Sequence, residues 1–377
     1  MQKIVEMCDL KRQAAKIRSE IDATIADTIE SSAFIKGAKV AEFEKNAAEY
    51  IGTKHCISVG NGTDALYVAI MMLNLQPGSE VITPSFTFVA TAEAILRAGL
   101  KPVFVDVSDS TFNIDAKTFE AAITPDTKAA IIVHLFGQSA EMDSIMKIAK
   151  KHSVEIIEDF CQSFGAECKI NGKIKRSGSI GRIGCTSFFP SKNLGCFGDG
   201  GAIFTDDDTI ADNARAFANH GMRVKYTYDS VGINSRLDAM QAGILNVKIK
   251  HVDSYLECRR KAAAKYKEML ADVDEIIIPA EQSGCHHTYN QFTIRVKNGK
   301  RDELKTYLEG HGIPSMIYYP YPIHQQKAYL ESPHRIAGSL SNTEALCKEV
   351  LSLPMHTELN EEIIKTIAST IKDFFKK

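Results

Sequence analysis

This sequence lacks the features that would commit it to a bilayer, a nucleic acid or a disulfide scaffold. No apolar run approaches the roughly 18 residues that cross a membrane. The formal net charge is −2 over 377 residues, too little for a global field that gathers nucleic acid or anionic lipid. Nine cysteines is an odd number and none has CxxC spacing, so reduced thiols are expected rather than disulfides or zinc. The N-terminal MQKIVEMCDLKRQAAKIRSE is charged and has no apolar central segment, unlike a secretory leader; a cytoplasmic protein is expected. GxSxG and GxxxxGK[ST] are both missing. His134, His220 and His324 are scattered without metal-ligand spacing, so no metal centre is expected. There is no short-period repeat, low-complexity tract or heptad run.

What is present is an ordinary globular composition, 44% hydrophobic and 24% charged, long enough for a large core and two domains. Asp9–Glu30 and Val40–Tyr50 carry apolar residues at helical spacing. From His55 to Asp159 short apolar strands alternate with helices. The strands fall at 56–59, 80–83, 102–106, 129–134 and 154–159. That alternation predicts an α/β fold with a mostly parallel sheet between helical layers. Ala202–Phe204 and the helix around 210–219 continue it. Two helices follow between Leu237 and Ala271, then a strand at 289–296, a helix at 302–311, an aromatic and proline-rich loop at 313–324, and helices near 342–351 and 361–375. The expected domains are 1–250, with an N-terminal helical segment 1–30, and a smaller α+β domain 251–377.

The chemistry centres on TSFFPSKNLGCFGDGGAIF, residues 186–204. Lys192 sits between an apolar run and a glycine-rich turn, where burial lowers a lysine's pKa and equips it to form a Schiff base. Other candidates lie where strands end, the usual place for ligands in open α/β sheets. Gly60-Asn61-Gly62-Thr63 opens a helix and offers free amides to a phosphate; equally, Thr63 could be only the helix N-cap. Asp159 ends the apolar VEIIED. A carboxylate there calls for a positive partner such as a pyridine nitrogen, or it caps a helix or forms a structural ion pair. Gln162 could donate to a ring oxygen, Ser187 could bind phosphate or pack in a strand, and Phe88 could stack on a planar ring or sit in the core. Asn234 could cap the following helix, and Arg236 could pair with Asp238. Taken together, a phosphate cradle, a stacking ring, a carboxylate and an amine are what pyridoxal 5'-phosphate requires.

GNGTDAL, PSFTFVATAEAI, VHLFGQSAEMD, IIEDFCQSFGA, TSFFPSKNLGCFGDGGAIFT and GINSRLDAMQAGIL follow one another in that order. The chain carrying them resembles the DegT/DnrJ/EryC1/StrS sugar aminotransferases over its whole length. The resemblance implies the type I fold of pyridoxal-phosphate enzymes. It makes Lys192 the cofactor-bearing lysine, Asp159 the pyridine partner and Gln162 a contact to the ring hydroxyl. Gly62, Thr63 and Ser187 would hold the phosphate, with Phe88 on the ring. Asn234 would reach the phosphate of a neighbouring subunit, making the working unit a homodimer with shared sites. It further implies L-glutamate as amino donor and a nucleotide-linked keto sugar as acceptor, closest to members acting on UDP-linked 3-keto sugars of the uronate type. Arg236, Tyr318, Tyr319 and His324 are the substrate-side candidates. Tyr318-Tyr319 stands where those uronate enzymes have a His-Tyr pair. The alternatives are a 4-keto sugar or an inosose as acceptor, and, from another class, a non-catalytic sugar-nucleotide sensor.

Overall fold

The computed structural model describes residues 5–376; residues 1–4 of the expected N-terminal helical segment lie outside them. The helical pattern from Asp9 resolves into two helices, Leu10–Lys16 and Arg18–Ser31. Ile17, with φ −118° and ψ 19°, separates them. Asp9 caps the first by accepting from Arg12 N at 2.9 Å.

The central sheet draws on β1 (His55–Val59), β2 (Glu80–Pro84), β3 (Lys101–Val105), β4 (Thr127–Val133) and β5 (Glu155–Asp159). A hairpin of β6 (Glu167–Ile170) and β7 (Lys173–Arg176) interrupts, and β8 (Ile183–Ser187) and β9 (Gly201–Thr205) complete the run. The sheet order is β1-β9-β8-β5-β4-β2-β3, with Arg335–Ile336 as an eighth strand on the β3 edge. Only β9 runs against the others. The βα alternation suggested another parallel strand there, but residues 188–200 hold no helix. A return without a crossover pairs antiparallel. Buried strand residues alternate between two cores: Ile82, Ala130, Ile132 and Ile156 face one layer of helices, and Val81, Ile131, Ile157, Ile183 and Ile203 the other. This is the mostly parallel mixed α/β sheet that the sequence predicts.

The C-terminal part builds a three-stranded antiparallel sheet from Ile276–Ile277, Phe292–Val296 and Val350–Leu353. Helices Val252–Leu270, Arg301–Gly310 and Glu361–Phe375 pack on it. The helix expected to reach Leu351 stops at Glu349. The fully buried Val350–Leu353 goes to the sheet instead, because a short apolar run fits either element and tertiary pairing decides. Val5 packs into this C-terminal core, and Gln13 reaches Thr357 at 3.3 Å. Arg335 fixes the eighth strand of the large sheet by a bidentate pair with Glu80, at 2.8 and 2.7 Å.

Candidate active site

Because its neighbours are parallel, the sheet delivers the carboxyl ends of β1, β2, β4, β5 and β8 to one edge. A cavity of about 600 Å³ opens there, within the range of small-molecule sites. Gly62, Thr63, Phe88, Asp159, Gln162, Ser187, Lys192, Tyr318 and Tyr319 all line it. Nine of the twelve residues singled out in the sequence thus meet in one cleft.

After β1 the chain turns into helix Gly62–Met72. Asn61, not Thr63, is the N-cap: its Oδ1 accepts from Asp64 N at 2.8 Å. Thr63 therefore lies in the first turn. Its hydroxyl and the amides of Gly62 and Thr63 find no hydrogen-bond partner among the described residues. Free amides and a hydroxyl at a helix N-terminus form a ready anion site. Close packing supports the turn. A Cβ on Gly62 would fall 2.7 Å from Ser187 Cβ, and one on Gly201 would fall 2.4 Å from the Asn61 carbonyl. The glycines of 195–201 serve this kind of close approach; none of them has a positive φ.

Asp159 is 7% exposed. It neither caps a helix nor pairs with a cation among the described residues; its Oδ1 accepts only from Cys161 N, at 3.1 Å. A buried, unpaired carboxylate is costly, so its surroundings favour a positively charged ligand. The strand end that carries it is pinned from behind. His134 N donates to the Asp159 carbonyl at 2.9 Å, and the His134 ring bonds buried Glu158 at 2.9 Å. Burial alone would raise the Glu158 carboxyl, but His134 and the amides of Gly178 and Gly181 outweigh it and hold it below the usual range.

Lys192 follows β8 on the cleft wall. Its Nζ makes no hydrogen bond or ion pair among the described residues. Burial pushes its ammonium below the ordinary lysine range, against the opposing pull of Cys161 and Asp159. Ser187 Oγ, at the end of β8, accepts from Phe189 N at 3.2 Å. Phe88 is 55% exposed, so it is no core residue; it presents a ring on the cleft 6.4 Å from Tyr319. Gln162 is more engaged than the sequence suggested. Its Oε1 accepts from Phe136 N at 2.8 Å and its Nε2 donates to Tyr319 Oη at 3.0 Å, leaving one amide hydrogen for a ligand.

Three candidates lie off the cleft wall. His324 is buried, bonded to Ser85 Oγ at 2.7 Å and 3.6 Å from Glu344. Asn234 is exposed and Arg236 half-buried. Asn234 does not cap helix Ala239–Ile249, which starts at Asp238, and Arg236 forms no ion pair with Asp238. Arg236 borders a separate hollow with Lys36, Glu44 and Arg215. Sequence reasoning missed Cys161 and Gln291 in the cleft wall, and gave Asn61 no role of its own within the Gly60–Thr63 turn. It also missed Lys248, whose buried Nζ donates to the Gly195 carbonyl at 2.5 Å and so braces the loop after Lys192. A lysine flanked by Val247 and Ile249 on a largely buried helix was the available signal.

The unpaired amine, the unpaired buried carboxylate, the free helix amides and the exposed ring suit pyridoxal phosphate: each offers what one part of that molecule lacks. Comparison with known proteins agrees. The DegT/DnrJ/EryC1/StrS aminotransferase family pattern matches residues 15–372. The chain is 45% identical to a Geobacillus stearothermophilus protein named pleiotropic regulatory protein, covering 99% of each. It is 45% identical to the UDP-N-acetyl-3-dehydro-alpha-D-glucosamine 3-aminotransferase of Acidithiobacillus ferrooxidans, covering 98% of this chain and 97% of that one. It is 43% identical to the UDP-2-acetamido-2-deoxy-3-oxo-D-glucuronate aminotransferase of Pseudomonas aeruginosa, covering 98% and 99%. The X-ray structure of S. venezuelae DesV, in complex with ketimine intermediate, superposes with a TM-score of 0.95 at 36% identity over 100% of both chains. The chain belongs to the DegT/DnrJ/EryC1/StrS aminotransferase family and is an aminotransferase with pyridoxal 5'-phosphate as its cofactor.

Proposed function

We propose that this enzyme moves an amino group from L-glutamate to a UDP-linked 3-keto sugar. The observation that carries the reading is the pairing, in one cleft, of a free, readily deprotonated Lys192 with a buried and unpaired Asp159. When bound, the cofactor supplies a reactive aldehyde and a ring that accepts electrons. The Gly62 and Thr63 amides, Thr63 Oγ1 and Ser187 Oγ bind its phosphate. Asp159 holds the proton on the pyridine nitrogen. Lys192 Nζ would anchor the cofactor and, when free of it, would move the proton at the donor's α-carbon. The amino group would stay in the site between the two halves, the donor's keto acid leaving before the keto sugar enters, so ping-pong kinetics follow. Phe88 shields one face from water, and Gln162 with Tyr319 fixes the far wall.

Asn234 and Arg236 lie outside the cleft of their own chain, which supports a homodimer whose loop 232–238 enters the partner's site. The notable acceptors are the two UDP 3-keto sugars named for the relatives above. The cell compartment proposed is the cytoplasm, where nucleotide sugars and glutamate meet. The test is amino transfer from glutamate to a panel comprising UDP-linked 3-keto hexosamine and hexuronate, a dTDP-linked 4-keto sugar and an inosose, read by mass spectrometry. Transfer to a 3-keto sugar supports the reading. Transfer only to the 4-keto sugar or the inosose overturns the acceptor assignment. Binding without transfer to any would favour a sugar-nucleotide sensor; the name of the Geobacillus relative speaks of regulation only.

A further inference from the structure

The two-residue strand Cys285–His286 adds to the edge of the β6–β7 hairpin. It belongs to the C-terminal half of the chain, the hairpin to the N-terminal half, and Cys285 falls directly opposite Cys168. Lys169 N donates to the Gly284 carbonyl at 3.0 Å. In an antiparallel ladder that bond places Lys169 and Gly284 in a hydrogen-bonded pair. Cys168 and Cys285, one step along, then form the non-hydrogen-bonded pair, whose Cα atoms lie about 4.5 Å apart and whose side chains converge on one face. That spacing falls inside the range a disulfide spans. The other cysteines in the sheets face no cysteine across their ladders: Cys56 opposes Phe204 and Cys185 opposes Ile203.

From this register we propose that Cys168 and Cys285 are a site of reversible covalent modification, oxidised to a disulfide by peroxide. The two thiols are asymmetric in the way such a reaction needs. Cys285 is partly exposed on a hollow of about 310 Å³ lined by Glu141, Asp143, Lys169 and Gln282, through which a small oxidant can enter. Cys168 is buried and accepts from Ser139 Oγ at 3.4 Å. The thiol of Cys168 holds Cys285 below the usual thiol range, against burial and Glu141, while Cys285 and burial push Cys168 up. Cys285 is therefore the attacking thiolate. Its sulfur takes one peroxide oxygen, and the other leaves as hydroxide and is protonated to water. Cys168 sulfur then attacks the sulfenic sulfur of Cys285; its own proton leaves with the displaced hydroxide as a second water. Two thiols and one peroxide give one disulfide and two waters, a two-electron oxidation of the pair. A metal site is the rival use of two thiols, but no group of three or more possible ligands surrounds them among the described residues.

The crosslink would staple a strand otherwise held by few backbone bonds. The same segment docks on the loop behind Asp159: Gln282 N donates to Gln138 Oε1, Thr288 N to the Gly137 carbonyl, and Gln291 N to the Phe136 carbonyl. Gln291 then lines the cleft. The covalent tie closes a loop of more than a hundred residues, where restricting the unfolded chain has a large effect.

The experiment uses the folded holoenzyme treated with a small excess of hydrogen peroxide, quenched, alkylated and digested without reductant. The expected product is one crosslinked peptide joining Cys168 to Cys285. The count of free thiols falls by two, the melting temperature rises by about 5 °C, and dithiothreitol reverses each change. Cys285→Ser and Cys168→Ala should each abolish all of these, and Cys258→Ser, at an exposed cysteine remote from the pair, should abolish none. If Cys168→Ala folds poorly, Cys285→Ser alone decides. The proposal is overturned if no such peptide forms while the thiol count stays at its reduced value, if peroxide carries Cys285 to the sulfinic acid with Cys168 still free, or if the crosslink forms only between other cysteines.

Discussion

Lys248 offers a test of how the cofactor loop is held, because its charge is buried with no carboxylate paired to it among the described residues. Its side chain is 2% exposed, and its hydrogen bond goes to the Gly195 carbonyl. Burial, reinforced by Arg259, pushes its pKa down to about 8 from 10.5, despite the nearby thiols of Cys196 and Cys8. The native state thus binds a proton less tightly than the unfolded chain. Below pH 8 the charged form costs about 3 kcal/mol of stability, and the cost is relieved as pH rises from 8 toward 10.5. Lys248→Met removes the charge at similar volume but leaves the Gly195 carbonyl without a donor, a loss of about 1–3 kcal/mol. The two effects nearly offset at pH 7, where the variant should match the wild type or exceed it by up to about 2 kcal/mol. By pH 10 the balance should swing by about 2–3 kcal/mol toward the wild type. Urea unfolding of both proteins at pH 7, 8, 9 and 10, in matched cofactor states, measures the difference while groups common to both cancel. A difference that stays flat with pH, or moves toward the variant, refutes a buried charged lysine at this position.

Reduction of the holoenzyme with borohydride followed by peptide mapping should label Lys192 and no other lysine, and Lys192→Ala should lose the label together with nearly all turnover. Asp159→Asn should fold with little change in its melting curve yet lower turnover on the order of 100-fold or more, since it removes a preorganised charge from a dry site; a near-normal rate would show that Asp159 does not hold the pyridine proton. Co-expression of Lys192→Ala with the double variant Asn234→Ala, Arg236→Ala should restore up to about half the activity per mixed dimer. Activity no higher than the sum of the two inactive parents, in dimers shown to be mixed and folded, would place the loop in its own chain's site.

Much of the fold was legible because strands alternate with helices: the continuous apolar run of 129–133, and Ile156-Ile157 within VEIIED, lie between helical segments and read together as buried strands of a parallel sheet. What escaped was decided by pairing. β9 looks like one more βα strand until its connection is seen to hold no helix. Val350–Leu353 looks like the end of a helix until Phe292–Val296 lies beside it. The β6–β7 hairpin, with exposed Lys173, Ile174 and Lys175, has too little apolar alternation to announce itself.

The site divides along the same line. Lys192, Asp159, Gly62 and Ser187 could be found from residue type and position, because an amine beside glycines and a carboxylate ending an apolar strand are expensive unless something binds them. Whether such a residue is satisfied within the protein is a matter of geometry that no spacing carries. Thr63 reads as a plausible cap in sequence, and only the structure, in which Asn61 with φ −167° and ψ 172° takes that place, decides that Thr63 is left free. Gln162 looked free and is half committed, to Phe136 and Tyr319. His324 looked available and is taken by Ser85 and Glu344. Asn234 and Arg236 resemble site residues in every local respect, yet their own chain gives them no place in the cleft. The physical reason to look across a subunit boundary is therefore the one that singled out Asp159: polar side chains with no side-chain partner among the described residues, although the Asn234 backbone bridges Asn219. The difference is that Asp159 would meet a cationic ring nitrogen inside its own chain, whereas in the proposed dimer the loop of Asn234 would meet the cleft of another copy.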